Sequence, residues 1–269
     1  MTVTDSRPDI RPDSLSPDSD VTDLTALTVR GIRGAIVLVL ARLAATAHER
    51  EILRDYAFDD VRALAEAGIA LIRIARSEGG AGGSLRDVVD VVIDVARADS
   101  NVGQAVRASF LTANQVAGRP DLPHRDRLLA QLRNRDLFAG TGNERSGGPS
   151  GSVHTTARRE PGGWVINGEK YYSTGGLYAS WFGGQARTED GRIVRFSVPV
   201  DRDGVQVLDD FDAIGQRLTA SGTTRLTEVR VSDDEVVVAG AEQPDNTWPG
   251  SFAQLYLAAV EAGIAARAL

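Results

Sequence analysis

The sequence predicts an α+β protein in which helices come first, a β region follows and a further helix comes last. Two changes in the spacing of apolar residues carry this prediction. Up to about residue 136, apolar residues recur every three or four positions, which is the period of a helix buried on one side. Beyond it, short alternating runs separated by Gly, Asp and Pro are typical of strands, and helical spacing returns from Phe252.

The helical region is predicted to follow a tail. Residues 1–20 are rich in Pro, Ser and Asp and lack a periodic apolar face, so we expect them to be disordered. Residues 21–136 should form the helical domain. Within it, residues 34–41 are strongly apolar but far fewer than the roughly 20 residues that cross a bilayer, so we expect a buried helix face. Because polar and acidic residues precede this stretch, we expect a cytoplasmic protein with no membrane partner.

Capping side chains divide the helical domain into separate helices. Asp59 and Asp60 can cap a helix that begins beside them, and Ser84 can cap the next. Asp99 or Asn101 can start a third helix. The glycine-rich loop before Ser84 lacks the Lys and Ser/Thr that end a phosphate-binding loop, so we expect it to be a structural turn.

The composition excludes several classes of function. With a formal net charge of -7 and a single lysine, Lys170, the chain is not expected to bind nucleic acid. The absence of cysteine rules out disulfides, a thiolate nucleophile and cysteine metal sites. The three histidines, His48, His124 and His154, are far apart and fit no metal-binding spacing, so no metal site is predicted.

Residues 137–248 are predicted to form a β domain. Strands are expected at 193–200, 205–208 and 223–238, between Gly, Asp and Pro punctuation. The Gly- and Ser-rich stretch 140–152 has little apolar surface, so it should lie outside the domain or line a groove.

The most regular segment of this region is residues 162–181. Two strand-forming runs there flank Asn167 and Gly168, the dipeptide best suited to a type I′ turn, so we predict a tight β-hairpin. Two hydroxyl side chains, Ser173 and Thr174, follow together with two glycines. Such a cluster can hydrogen-bond a planar polar ligand, or it can simply form the next turn.

Residues 249–269 form the last predicted helix. Its apolar side chains fall on one face: Leu255, Tyr256, Ala259, Val260 and Ile264. Such a face needs a partner surface, which either further protein or another chain would supply. We therefore expect a homo-oligomer or a separate C-terminal helical partner.

Four separate segments resemble a known family. They are LAEAGIALIRIARSEGGAGGSL (residues 64–85), DLFAGTGNERSGG (136–148), GGWVINGEKYYSTGGLYASW (162–181) and DAIGQRLTASGTTRLTEVRVSDDEVV (212–237). In order and spacing they resemble the acyl-CoA dehydrogenase superfamily. The resemblance implies an N-terminal all-α domain, a β-barrel-like middle domain and the first helix of a truncated C-terminal helical bundle.

Two of these segments look most like one branch of that superfamily. YYSTGGLYASW and GQRLTASGT resemble flavin-dependent monooxygenases that act on sulfur compounds and receive reduced flavin from a separate reductase. Tyr172 stands where acyl-CoA dehydrogenases commonly have Trp, and Ser173 replaces an aliphatic residue. Thr174 matches the family threonine that meets the flavin. The resemblance therefore implies an oxidoreductase with reduced FMN as cofactor, a flavin reductase as partner and a small sulfur-containing substrate.

The same resemblance implies a set of cofactor-binding residues. The loop from Phe138 to Glu144 corresponds to one that contacts the flavin, although Asn143 stands where the family usually has Thr. For Thr141 and Asn143, capping of the loop's own backbone is an equal alternative. The implied flavin contacts are Phe138, Thr141, Gly142, Asn143, Tyr172, Ser173 and Thr174.

No catalytic residue can be assigned from the sequence. The acyl-CoA dehydrogenases take their carboxylate base from the C-terminal bundle, and no position here corresponds to it. Two alternatives to the monooxygenase remain open. One is an FAD-dependent acyl-CoA dehydrogenase, and the other is a non-catalytic fragment that binds flavin or a protein partner.

Overall fold

The computed structural model of the protein describes residues 27–145, 152–238 and 248–269. The predicted disordered tail, residues 1–20, lies outside the described residues. Within them, helices come first, a sheet follows and a helix comes last, which confirms the predicted fold class. None of the described helices is both long and apolar enough to span a bilayer.

Six of the described α-helices precede the sheet and one follows it. They are α1 (Val29–Leu53), α2 (Phe58–Glu66), α3 (Leu85–Ala98), α4 (Ser100–Ala105), α5 (Arg107–Gly118), α6 (Arg125–Arg133) and α7 (Trp248–Ala268). The first six and α7 form the helical layer.

The helix starts follow from local side-chain chemistry at two of the three predicted caps. Ser84 caps α3 in a reciprocal box, in which its hydroxyl accepts the N–H of Asp87 at 3.2 Å and the Asp87 carboxylate accepts the N–H of Ser84 at 2.7 Å. Asp99 caps α4, as predicted. Asp59 and Asp60 were expected as caps, but they lie inside the first turn of α2. There their negative charge still suits the helix N-terminus.

The apolar stretch of α1, residues 34–41, is buried on one side only. Ile36 and Val39 point into the core, whereas Val37 is 58% exposed and Leu38 is 72% exposed. The expectation of a buried helix face is therefore confirmed, and the opposite side of this segment is exposed.

The described strands form one mixed sheet. They are β1 (Phe138–Thr141), β2 (Thr156–Glu160), β3 (Gly163–Lys170), β4 (Trp181–Thr188), β5 (Ile193–Pro199), β6 (Val205–Val207), β7 (Thr224–Ser232) and β8 (Val236–Val238). Their order is β6-β7-β3-β2-β4-β5-β8, with β1 beside β4. β4 pairs in parallel with β1 and β2, and the other pairs are antiparallel.

The predicted hairpin at Asn167 and Gly168 is wrong. β3 continues through both residues as one strand, and the register of its pairing with β7 shifts between Ile166 and Gly168. Gly168, with φ 154°, therefore sits in a β-bulge. The turn that does join two strands lies earlier, where Gly162 has φ +83° between β2 and β3. Asn-Gly tolerates positive φ, so it is compatible with a bulge as well as with a turn. The pairing of β3 with the long strand β7 favours the bulge.

The apolar face of α7 is covered by the same chain. α7 packs along α3, and its buried side chains are Phe252, Tyr256, Ala259 and Val260. The Tyr256 hydroxyl donates to the carbonyl of Gly103 at 2.6 Å. The expectation that this face needs an outside partner is therefore wrong for the residues that meet α3. Leu255 and Ile264, which were predicted on the same face, remain partly exposed.

An apolar cluster joins the helical layer to the sheet. Phe138, at the start of β1, packs with residues of α5 and α6 that include Val116 and Leu132. The change from helix to strand falls between Arg133 and Phe138. The domain limits at residues 136 and 248 stay predictions. The packing nevertheless fixes β1 against the helices, so the loop that follows β1 starts from a rigid base.

Candidate functional site

Three polar loops meet where β1 and β3 end and β7 begins. We call them the β1 loop (residues 141–145), the β3 loop (residues 171–176) and the β7 loop (residues 209–223). The N–H of Tyr171 donates to the carbonyl of Asn143 at 3.0 Å. The N–H of Ser173 donates to the carbonyl of Gly222 at 3.1 Å. The β3 loop therefore bridges the other two loops.

A buried ion pair anchors the β1 loop to the end of β3. Lys170 Nζ lies 2.5 Å from Glu144 Oε1, and the two side chains are 0% and 3% exposed. The same carboxylate accepts the N–H of His154 at 2.7 Å and both the N–H and the hydroxyl of Thr155, at 3.1 and 2.8 Å. Glu144 therefore holds together both ends of the Gly- and Ser-rich segment, as well as β3.

The electrostatics of this pair follow from burial and from its hydrogen bonds. Burial alone would raise the pKa of Glu144, but the donors from Lys170, Thr155 and His154 outweigh it, so the pKa lies below its ordinary 4.5. Burial lowers the pKa of Lys170, and Glu144 opposes that shift. The single lysine of the chain is thus committed to a structural contact.

The hydroxyl of Thr174 is held by a short relay of hydroxyl groups. Thr174 Oγ1 lies 3.0 Å from Ser221 Oγ, which in turn lies 2.7 Å from Thr219 Oγ1. Ser221 and Thr219 are buried, whereas Thr174 is only partly buried. The relay therefore presents one oriented hydroxyl at the meeting point of the loops. Ser221 and Thr219 were not among the residues expected from the sequence.

Two of the expected site residues turn into the protein. Ser173 is fully buried, and its hydroxyl accepts a hydrogen bond from Thr224 Oγ1 at 2.8 Å. The ring of Phe138 belongs to the cluster between the helices and the sheet, and its N–H donates to Ser109 Oγ at 2.9 Å. The structure does not bring either side chain to the open surface of the three loops.

Tyr172 supplies an aromatic face at the same place. It is 51% exposed, and its backbone has φ +60°, which costs a non-glycine residue about 1–3 kcal/mol. Its ring centre lies 4.5 Å from that of Tyr171 and 6.2 Å from that of Phe211. The Arg145 guanidinium stacks 3.8 Å above the Tyr171 ring and pairs with Asp210 at 3.2 Å. These contacts hold Tyr172 in its strained position with the ring open to solvent.

The β1 loop presents backbone and amide groups beside that ring. Thr141 Oγ1 accepts the N–H of Asn143 at 3.0 Å, so the Thr141 hydroxyl caps the loop, one of the two roles expected for it. Gly142 faces open space, because an added Cβ would have no heavy atom within 4 Å. The Asn143 side chain is exposed.

The loops bring together five of the seven expected residues: Thr141, Gly142, Asn143, Tyr172 and Thr174. An aromatic face, a fixed hydroxyl and accessible amide groups match a planar ring with polar edges, which is the shape and chemistry of a flavin. No group of three or more His, Asp or Glu side chains in the described part of the chain could hold a metal ion.

The chain is similar to several known proteins. Residues 138–229 match the family described as "Acyl-CoA dehydrogenase, middle domain". Dibenzothiophene monooxygenase from Rhodococcus erythropolis is 29% identical over 240 residues, covering 84% of this chain and 57% of that protein. The probable FMNH2-dependent monooxygenase SfnC from Pseudomonas putida is 25% identical over 209 residues, covering 76% of this chain and 51% of that protein.

A solved structure has the same fold. FMN-bound TdsC from Paenibacillus sp. A11-2 aligns with a TM-score of 0.78 and 26% identity, covering 89% of this chain and 63% of that one. This chain therefore spans less than two thirds of the length of each of these proteins.

The fold is that of the acyl-CoA dehydrogenase-like proteins. Residues 138–229 match the middle domain of that family, and the relatives named above include two monooxygenases, one of them described as FMNH2-dependent.

Proposed function

We propose that this chain forms the N-terminal helical part and the middle β part of a two-component flavin-dependent monooxygenase. It would use reduced FMN and oxygen on a small sulfur-containing organic substrate. The observation that carries the proposal is the Thr174 hydroxyl, which Ser221 holds beside the exposed ring of Tyr172. Its similarity to FMN-bound TdsC and to dibenzothiophene monooxygenase supports the choice of cofactor and substrate class.

The role that we propose for each residue follows from its exposure. Reduced FMN, when bound, would supply the two electrons that activate oxygen. The Thr174 hydroxyl would hydrogen-bond a polar edge of the ring, and Tyr172 would pack beside it. Gly142 and Asn143 would offer the backbone and the side-chain amide of the β1 loop. Ser173 would support the site from behind, because its hydroxyl is directed toward Thr224.

The proposal includes partners and a location. A separate flavin reductase would supply reduced FMN, as the name of the FMNH2-dependent relative SfnC suggests for that protein. We further propose that the protein works in the cytoplasm as a homo-oligomer. The exposed apolar residues Val37 and Leu38 on α1, and Leu255 and Ile264 on α7, support an oligomer because such surfaces are commonly covered in an assembly.

A coupled assay tests the proposal. The full chain is incubated with a flavin reductase, NADH, FMN and dibenzothiophene under isotopically labelled oxygen. We expect one labelled atom to enter the sulfur centre while the second leaves as water, with two electrons from NADH for each turnover. The absence of both FMN binding and oxygen transfer would overturn the proposal.

The flavin content of the purified protein, its response to an acyl-CoA and the coupled assay together separate the two alternatives. Tightly bound FAD that is bleached by an acyl-CoA would identify an acyl-CoA dehydrogenase. Saturable FMN binding without any oxygen transfer, even with the reductase present, would identify a non-catalytic flavin-binding fragment.

A further inference from the structure

The β7 loop follows a path that needs support from outside. Two of its non-glycine residues, Gln216 and Ala220, have φ +52° and +50°. Each such residue costs about 1–3 kcal/mol unless the surroundings enforce the conformation. The hydroxyl relay to Thr174 starts within this stretch, at Thr219. Whatever holds the loop therefore also sets the position of Thr174.

The helical layer supports this loop, and one buried amide side chain is central to that support. Asn101, in α4, is 6% exposed. Its Oδ1 accepts the N–H of Leu218 at 3.0 Å, and its Nδ2 donates to Glu51 Oε2 at 2.9 Å. The other carboxylate oxygen of Glu51 accepts the N–H of Arg217 at 3.2 Å. Asn101 and Glu51 thus accept hydrogen bonds from two consecutive backbone N–H groups of the β7 loop, those of Leu218 and Arg217.

Asn101 is itself held in a fixed position. Its N–H donates to the capping carboxylate of Asp99 at 2.8 Å, and that carboxylate is paired with Arg50, also buried. The Tyr178 hydroxyl donates to the carbonyl of Leu218 at 3.1 Å. Both backbone polar groups of Leu218 are therefore hydrogen-bonded to side chains.

We propose that Asn101 is a positioning residue for Thr174. Through Leu218 it fixes the turn that carries Thr219 and Ser221, so that the Ser221 hydroxyl orients the Thr174 hydroxyl toward the bound flavin. The flavin part of this inference rests on the proposed function, whereas the positioning of the β3 loop does not depend on it.

A carboxamide suits the chemistry of the position. Asn101 accepts from a backbone N–H with its oxygen and donates to the Glu51 carboxylate with its nitrogen. An aspartate would keep the acceptor and place a second carboxylate against Glu51. A leucine of similar size would remove both bonds and leave the N–H of Leu218 buried without its partner.

The test combines Asn101→Leu and Ser221→Ala in a double-mutant cycle with two readouts. The first is the dissociation constant for reduced FMN, together with the visible spectrum of bound oxidised FMN. The second is amide hydrogen exchange of residues 171–176 in the FMN-free protein.

We expect Asn101→Leu to weaken FMN binding about tenfold, the effect of one lost buried hydrogen bond, and to shift the flavin bands. In the Ser221→Ala background the same change should alter binding by less than about twofold, because the link is already broken.

Hydrogen exchange separates this inference from the proposed function. Asn101→Leu should speed exchange in residues 171–176 about tenfold and leave β2 and β3 unchanged. If the wild-type chain binds no FMN, the proposed function fails. The positioning role is tested independently, because unchanged hydrogen exchange of residues 171–176 in Asn101→Leu would overturn it. Equal FMN losses from Asn101→Leu in both backgrounds would overturn it as well. If Asn101→Leu does not fold, Glu51→Gln takes its place in the cycle with the same criteria.

Gln131→Leu is the matched control. Gln131 is also a buried amide of the helical layer, but its side-chain amide has no hydrogen-bond partner among the described residues. Its replacement should leave FMN affinity and exchange of residues 171–176 unchanged. A loss of FMN affinity equal to that of Asn101→Leu would show that any buried change in this layer has the effect, and would contradict the specific role.

Discussion

Lys170 and Glu144 form an ion pair that is closed off from solvent, with 2.5 Å between Nζ and Oε1, although the two residues are 26 positions apart in sequence. Lys170 ends β3, and Glu144 belongs to the β1 loop, so the pair joins two of the three loops of the candidate site. Because it lies beneath the loops, it fixes their spacing without occupying the open surface.

Replacing Lys170 by Met should strongly destabilise the fold, because the Glu144 carboxylate would stay buried without its counter-charge. We expect a loss of about 3 kcal/mol in the free energy of unfolding, measured by urea denaturation. The double variant Lys170→Met/Glu144→Gln should lose less than the sum of the two single variants. Strict additivity would show that the two side chains do not interact.

The stability of the protein should fall in acid partly through Glu144. Its pKa is below 4.5 in the folded chain, so between 4.5 and the lower folded value the unfolded chain binds more protons. The stabilisation is therefore complete above pH 4.5 and is lost as the pH falls through that window. Urea unfolding of the wild type and Glu144→Gln over a pH series checks this. The difference between them should shrink toward low pH, and a constant difference would contradict the assignment.

Thr174 and Ser173 are neighbours with opposite orientations, so their variants should separate affinity from stability. Thr174→Val should weaken FMN binding about tenfold because the oriented hydroxyl is lost. Ser173→Ala should instead cost about 1 kcal/mol of stability, through the lost bond with Thr224, and change FMN affinity less than about twofold. Fluorescence titration and urea unfolding give the two quantities. Equal losses of affinity would show that the inward orientation of Ser173 is irrelevant.

Gly175 should tolerate no side chain. Its φ is +82°, and an added Cβ would lie 2.4 Å from the carbonyl oxygen of Ala105 in α4. Gly175→Ala should therefore cost about 2 kcal/mol or more in unfolding free energy. Gly142→Ala is the control, since it has open space around it and should change stability by less than about 0.5 kcal/mol. Similar losses in both variants would contradict the close packing of the β3 loop on α4.

Features that depend on neighbouring residues could be predicted from the sequence. The helical period, the capping of α3 by Ser84 and the capping of α4 by Asp99 are all local effects. The bulge at Gly168 could not be predicted in the same way. The Asn167–Gly168 dipeptide suits a turn equally well, and the outcome depends on β7, which follows β3 only after three other strands.

In the candidate site, too, local features could be predicted and distant contacts could not. The β1 and β3 loops could be found because continuous segments resemble a known family. The segment that contains Ser221 resembles the same family, but its contact with Thr174, 47 residues away, could not be found from the sequence because strand pairing brings the two together. Asn101 is even further away, 117 residues from Leu218, and its contact crosses from the helical layer to the sheet. The inward turn of Ser173 likewise depends on its contact with Thr224 on β7.

Anaerobic titration of the full chain with reduced FMN tests the central claim most directly. We predict saturable one-to-one binding that Thr174→Val weakens about tenfold, the effect of one lost hydrogen bond, while the free energy of unfolding changes by about 1 kcal/mol or less. The absence of saturable binding by the folded wild-type chain would contradict the account. So would FMN binding that is identical in the wild type and in Thr174→Val.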